Sequence, residues 1–224
     1  MRRRIYLMRH ADVAYFDADG RPWRPDDTTL TVEGERQARA ARDALTGIRF
    51  DRVVTSGLAR TEATARIVSD LDPEPWPELV EIRSGRLASI PDDELEEAFV
   101  SAFDGVVPET AHFLGGETVG ELFDRVLPAL ERLLAEEWDV LLAVLHGGVN
   151  RAILSWALTG SRTYLGSFEQ TPACVNVLDV GDRWIVRAVG WTPHDPAHLR
   201  GRTTTMEDLL AQYLPYRRRG GRDG

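Results

Sequence analysis

The chain has 224 residues, 43% hydrophobic and 28% charged, a balance that can bury a sizeable core in one large domain. Its 27 basic and 36 acidic residues give a net charge of −9, which disfavours nucleic acid and acidic membranes as partners because both need a basic face. All 27 basic residues are Arg and Cys174 is the one cysteine, which excludes Schiff-base, Walker A and kinase-lysine chemistry, an internal disulfide and any Cys-rich metal site.

Arg4 to Met8 reads as a short buried strand that opens into a loop at Arg9-His10. Asp17 to Thr29, rich in Asp, Pro and Gly, reads as an exposed excursion. Thr31 suits an N-cap for a helix from Glu33 to Leu45. Arg52 to Ser56 is a second strand, followed after Gly57 by a helix from Leu58 to Ser69. Pro73, Pro75 and Pro77 predict an extended stretch ending at Leu79-Val80-Glu81. Residues 84–116 are irregular around a helix expected over Asp92–Phe103.

Thr118-Val119-Gly120-Glu121 fits a capping box that starts a long helix to about Trp138. Val140 to Leu145 is six apolar residues in a row, the mark of a fully buried central strand, and it ends at His146-Gly147-Gly148 ahead of a helix to Leu158. Cys174–Val180 and Trp184–Val189 predict a hairpin at one sheet edge. Thr205 caps a final helix, and the Arg-rich end reads as a frayed, solubilising tail. No apolar run approaches the roughly 18–20 residues of a membrane span. The apolar N-terminal stretch is too short for a signal peptide. The expectation is a cytoplasmic α/β protein with three layers, α/β/α, a mostly parallel central sheet and an antiparallel edge.

Ligands of open α/β sheets bind beyond the C-terminal ends of the strands. Three such ends carry matching polar groups here: Arg9-His10, Ser56 leading to Arg60, and His146-Gly147-Gly148. Two Arg and two His converging on one crevice make an anion site, because Arg forks fit phosphoryl oxygens and helix N-termini add backbone donors. A His held there through its other ring nitrogen can attack phosphorus.

These residues sit in motifs that resemble the histidine phosphatase superfamily, in its phosphoglycerate mutase-like branch. Leu7-Met8-Arg9-His10-Ala11 stands where the family has Arg-His-Gly. Leu30 to Ala38 is similar to Leu-Thr-x-x-Gly-x-x-Gln-Ala, and Ser56-Gly57-Leu58-Ala59-Arg60 to Ser-x-Leu-x-Arg. Leu79 to Gly85 matches Leu-x-Glu-x-x-x-Gly, Gly115 to Thr118 matches Gly-Gly-Glu-Ser/Thr, and His146 to Arg151 matches His-Gly-Gly-x-x-Arg. The resemblance implies one histidine phosphatase domain over residues 1–215, with 216–224 a disordered tail. It makes His10 the phosphoryl acceptor, Glu81 the acid and then the base, and Arg9, Arg60, His146 and Gly147 the phosphate grip, with His146 counted among the catalytic groups. No metal and no cofactor is implied. The partner implied is a small phosphorylated substrate, and a homodimer is compatible with the reading.

Two departures favour phosphatase over mutase chemistry. Asp12-Val13-Ala14-Tyr15 replaces the mutases' Glu-Ser/Thr-x-x-Asn, and the segment between Glu81 and Gly116 is short. Ala11 in place of Gly is expected to narrow the loop behind the nucleophile. Glu117 and Thr118 are read as serving the helix start. His194 and His198 have a zinc-like spacing, but Pro196 breaks any helix between them, so a loop pair or a contribution to the substrate rim is expected.

Overall fold

Alternate residues of the first strand feed two separate cores. In β1 (Arg3–Arg9), Ile5 and Leu7 join one buried cluster while Tyr6 and Met8 join the other, as the two-residue period of a strand requires. The same division holds in β5 (Val140–Leu145), where Leu141, Ala143 and Leu145 face one way and Leu142 and Val144 the other. Both strands are therefore covered on two faces, which explains their unbroken apolar runs. This computed structural model describes residues 2–23, 28–199 and 201–220.

The remaining strands are β2 (Arg52–Thr55), β3 (Glu74–Pro75), β4 (Val106–Val107), β6 (Tyr164–Leu165), β7 (Val175–Val180) and β8 (Ile185–Trp191). The main sheet has the order β3-β2-β5-β1-β7-β8. Its first four strands run parallel, and β7 and β8 close one side antiparallel. Strands β4 and β6 form a small separate ladder. Helices α1 (Val32–Ala44) and α2 (Ala59–Val68) pack on the Tyr6 face, while α4 (Val119–Ala135) and α5 (Gly147–Thr159) pack on the Ile5 face. That is the expected three-layer arrangement. A third cluster joins α3 (Leu95–Val100) to α6 (Thr205–Arg218) through Leu95, Phe99, Leu210 and Tyr213.

Caps follow the sequence closely. Thr31 accepts from Gly34 N–H at the start of α1, and Thr118 with Glu121 makes a reciprocal capping box for α4.

Five boundaries differ from expectation. The stretch before Glu81 is a two-residue strand and a single 3₁₀ turn, and α3 covers only the middle of the helix expected over 92–103. Helix α4 stops at Ala135. The last helix is capped by Thr204, with Glu207 completing a capping box, so Thr205 is its first helical residue. The tail expected to fray from 216 is helical through Arg218. Arg217 holds it, donating to the carbonyls of Ala88 and Ile90 and to Asp92 at 2.7 Å. Those partners lie more than 120 residues back, where no local pattern shows them. The tail's last four positions, 221–224, lie outside the described residues. Among the described residues no helix is long and apolar enough to cross a membrane.

Candidate active site

β1 and β5 lie side by side, so the residues just past their ends meet. His10 N–H donates to the Leu145 carbonyl at 2.9 Å, and the His10 and His146 rings are 5.2 Å apart. His10 is buried, with Nδ1 2.8 Å from the Ala11 carbonyl. A carbonyl only accepts, so Nδ1 carries the ring proton and Nε2 presents its lone pair. Burial first, then the charges of Arg9 and Arg60, push the His10 pKa well below 6.5. The ring is neutral and nucleophilic at neutral pH. The Tyr15 hydroxyl lies 3.2 Å from Nε2 and donates to it. Nothing local in the sequence signals that the Tyr15 hydroxyl reaches the ring.

Buried cations surround this ring. Arg9 is anchored through Nη1 to the Gln170 carbonyl at 2.5 Å and the Thr205 hydroxyl at 3.0 Å, while its buried Nε has no hydrogen-bond partner among the described residues. Thr205 is in turn held by Glu169 at 2.6 Å. Arg60, 2% exposed in the first turn of α2, donates to Thr28. His146 Nε2 is 2.8 Å from the Ser56 hydroxyl, and its Nδ1 is buried without a partner among the described residues. Burial, then His10, Arg60 and Arg9, push the His146 pKa well below 6.5. Two buried polar nitrogens left open beside two guanidiniums make a receptor for an anion. Gly147 is the first residue of α5, so its N–H has no acceptor within the helix.

Glu81 closes the other side. Its carboxylate accepts from Gly148 N–H at 3.0 Å and from Ile82 N–H at 2.9 Å, so it sits on the positive end of α5. The approach requires glycine at 148, because a Cβ there would meet Glu81 Oε1 at 2.7 Å and Ile82 Cγ2 at 2.8 Å. The loop carrying Glu81 is gathered by Arg125, which donates to the carbonyls of Glu78, Val80 and Glu81 at 2.7, 2.7 and 3.0 Å. Arg125 is oriented by a two-point pair with Glu117, at 2.6 and 2.8 Å. Burial raises the Glu117 pKa, but the Arg125 bonds outweigh it and hold the carboxyl below the usual glutamate value. Glu117 therefore belongs to this clamp, which corrects its reading as a helix-start residue; Thr118, with Glu121, serves that start.

The departures also resolve. Ala11 is buried, is not among the non-glycine residues with positive φ, and donates its N–H to Thr64. It therefore adopts a backbone open to any residue. Asp12 is drawn to the start of α1, accepting from the Thr31 hydroxyl at 2.6 Å while its N–H donates to Gln37. His194 lies on a turn and His198 just after one, and neither lines this crevice. Burial pushes the Cys174 thiol up to about 12, so it is a packing residue rather than a nucleophile.

Arg9, Arg60, Glu81, Gly147 and Arg151 form the floor of a cavity of about 630 Å³. The family model described as the histidine phosphatase superfamily (branch 1) matches residues 5–192. The 2-carboxy-D-arabinitol-1-phosphatase of Triticum aestivum is 32% identical over 196 residues, 79% of this chain. The chain spans 37% of that relative's length and 40% of a similar one from Arabidopsis thaliana. Among solved structures, a mycobacterial glucosyl-3-phosphoglycerate phosphatase in complex with VO3 aligns with a TM-score of 0.68 at 25% identity, covering 84% of this chain and 99% of that one. The α-ribazole phosphatase of Shigella flexneri aligns at 0.65 and 25%, covering 84% and 96%. With the motifs, the fold and the crevice in agreement, the chain belongs to the histidine phosphatase superfamily, branch 1.

Proposed function

We propose that this chain is a phosphomonoesterase that works through a phosphohistidine on His10. The observation that carries the reading is a neutral His10 whose Nε2 lone pair is fixed by the Nδ1–Ala11 bond, beside Arg9 and Arg60, which line the cavity. Arg9, Arg60 and the Gly147 N–H neutralise the phosphoryl oxygens. His146 joins them through Nδ1–H when the Ser56 hydroxyl donates to its Nε2. Tyr15 swings aside to free the attack line.

Nε2 forms a bond to phosphorus as the ester P–O bond breaks, and Glu81 gives a proton to the departing oxygen. Glu81 then takes a proton from water, the hydroxide attacks phosphorus, and the P–N electron pair returns to Nε2. The phosphatase names of the relatives support the same chemistry. The reading carries a small phosphorylated metabolite as substrate and a cytoplasmic place of work. The walls above the floor include few groups that could hold a phosphoglycerate in two orientations, which favours hydrolysis over isomerisation.

Rapid neutral quench with phosphorus-labelled substrate tests this. An acid-labile, base-stable phosphoenzyme is expected, absent from His10→Ala. Label retained by His10→Ala would refute the assignment.

A further inference from the structure

The cavity above the phosphate floor is walled mainly by apolar side chains. Phe16, Leu87, Phe103, Phe113, Met206 and Leu209 all line it, and Trp23, 54% exposed, stands at its mouth. These walls come from three places: the loop after His10, the segment between residues 87 and 114, and the first turns of α6. Helix α6 lies beyond residue 192, where the family match ends. It is nevertheless built into the site, since Thr205 bonds Arg9 while Met206 and Leu209 face the cavity. Its opposite contacts, through Leu210 and Tyr213 to Phe99, fix it against α3.

Beyond Arg9, Arg60 and Glu81, two charged residues line the cavity, Arg151 on the floor and Arg83 above it, and Arg151 is committed elsewhere. Arg151 donates to the Gly166 carbonyl, pairs with Glu169 at 3.4 Å and lies 4.3 Å over the Phe103 ring. Arg83 is mostly exposed, 3.8 Å from Glu117. A small polar phosphoester held on the floor would leave the apolar walls in water, whereas an apolar leaving group would cover them.

Resting on the phosphomonoesterase reading above, we infer that the substrate is a phosphomonoester of an apolar alcohol or phenol, whose hydrocarbon part is buried between the 87–114 segment and α6. Those two elements set the specificity of the site.

Phosphate release is measured for a series of n-alkyl phosphates from ethyl to hexyl, with 1-naphthyl phosphate, glycerol phosphate and 3-phosphoglycerate alongside. Burial of one methylene should raise kcat/KM about fourfold, so hexyl should exceed ethyl phosphate by about a hundredfold or more. Naphthyl phosphate should exceed both polyol esters. Leu209→Asn should lower the gain per methylene, with circular dichroism checking the fold. A flat or falling series, or a preference for the polyol esters, would overturn the inference.

Calorimetry with the matching alkylphosphonates, which have no ester bond to hydrolyse, separates the two claims. Affinity that climbs with chain length in a protein that hydrolyses none of the esters would uphold the apolar compartment and refute the phosphomonoesterase reading. Affinity that ignores chain length would refute the compartment whatever the turnover.

Discussion

Arg125→Met removes the cation that gathers the Glu81 loop, and its cost can be worked from the contacts it breaks. The Glu117 side chain is 6% exposed and would keep only the Arg83 backbone N–H at 2.9 Å and, as a charged partner, Arg83 Nη1, 3.8 Å away on a side chain 66% exposed. Removing one member of a buried pair strands the other charge and costs about 3–5 kcal/mol. At about 2–4 °C per kcal/mol for a chain of this size, the melting temperature should fall by about 6–20 °C. The Glu78, Val80 and Glu81 carbonyls also lose their common donor. The Glu81 carboxylate then loosens, and since a displacement of about 1 Å can cost about 100-fold, kcat should fall by about 10- to 100-fold.

Adding Glu117→Gln removes the stranded charge while its amide oxygen can still accept from the Arg83 N–H. The double variant should recover much of the melting temperature and little of kcat. Thermal melts monitored by circular dichroism and steady-state rates on nitrophenyl phosphate give the two readouts. A loss below about 1 kcal/mol in Arg125→Met would show that the pair behaves as an exposed one. Recovery of kcat together with stability would show that Arg125 does not position Glu81.

Tyr15→Phe removes the hydroxyl that occupies His10 Nε2. Inorganic phosphate should inhibit more strongly, by about 2- to 10-fold for a hydrogen bond of about 0.5–1.5 kcal/mol; weaker inhibition would make the hydroxyl a phosphate ligand instead. Glu81→Gln should slow turnover of alkyl phosphates by about 10²- to 10⁴-fold, and nitrophenyl phosphate much less because its leaving group needs little protonation. An equal loss on both would move the acid role to another residue. His10 and His146 stay neutral in the fold well below pH 6.5. Below that pH the unfolded chain binds protons that the folded one refuses, so stability falls as pH falls. Lowering the pH from 7.5 to 5.5 should therefore lower the stability of the fold. Urea midpoints at the two pH values measure this, and equal stabilities would refute it.

The sequence by itself determined the sheet, the helices that cover it and the polar groups at its edge. Unbroken apolar runs in β1 and β5 demand cover on both faces, and capping residues such as Thr31 and Thr118 act within one turn of their helix. These signals are local, so a linear reading recovers them. Because β1 and β5 are neighbours in the sheet, Arg9-His10 and His146-Gly147 had to meet.

The tertiary structure alone decided what surrounds that meeting point. Tyr15 reaches His10 through an irregular loop. Glu117 turns from the start of α4 to Arg125, and Arg217 ties the chain's end to Ala88 and Ile90. The apolar walls combine residues near 16, 87–114 and 206–209, which share no periodicity. Such contacts depend on where irregular segments are carried by the packing of distant elements. No short-range pattern encodes that geometry.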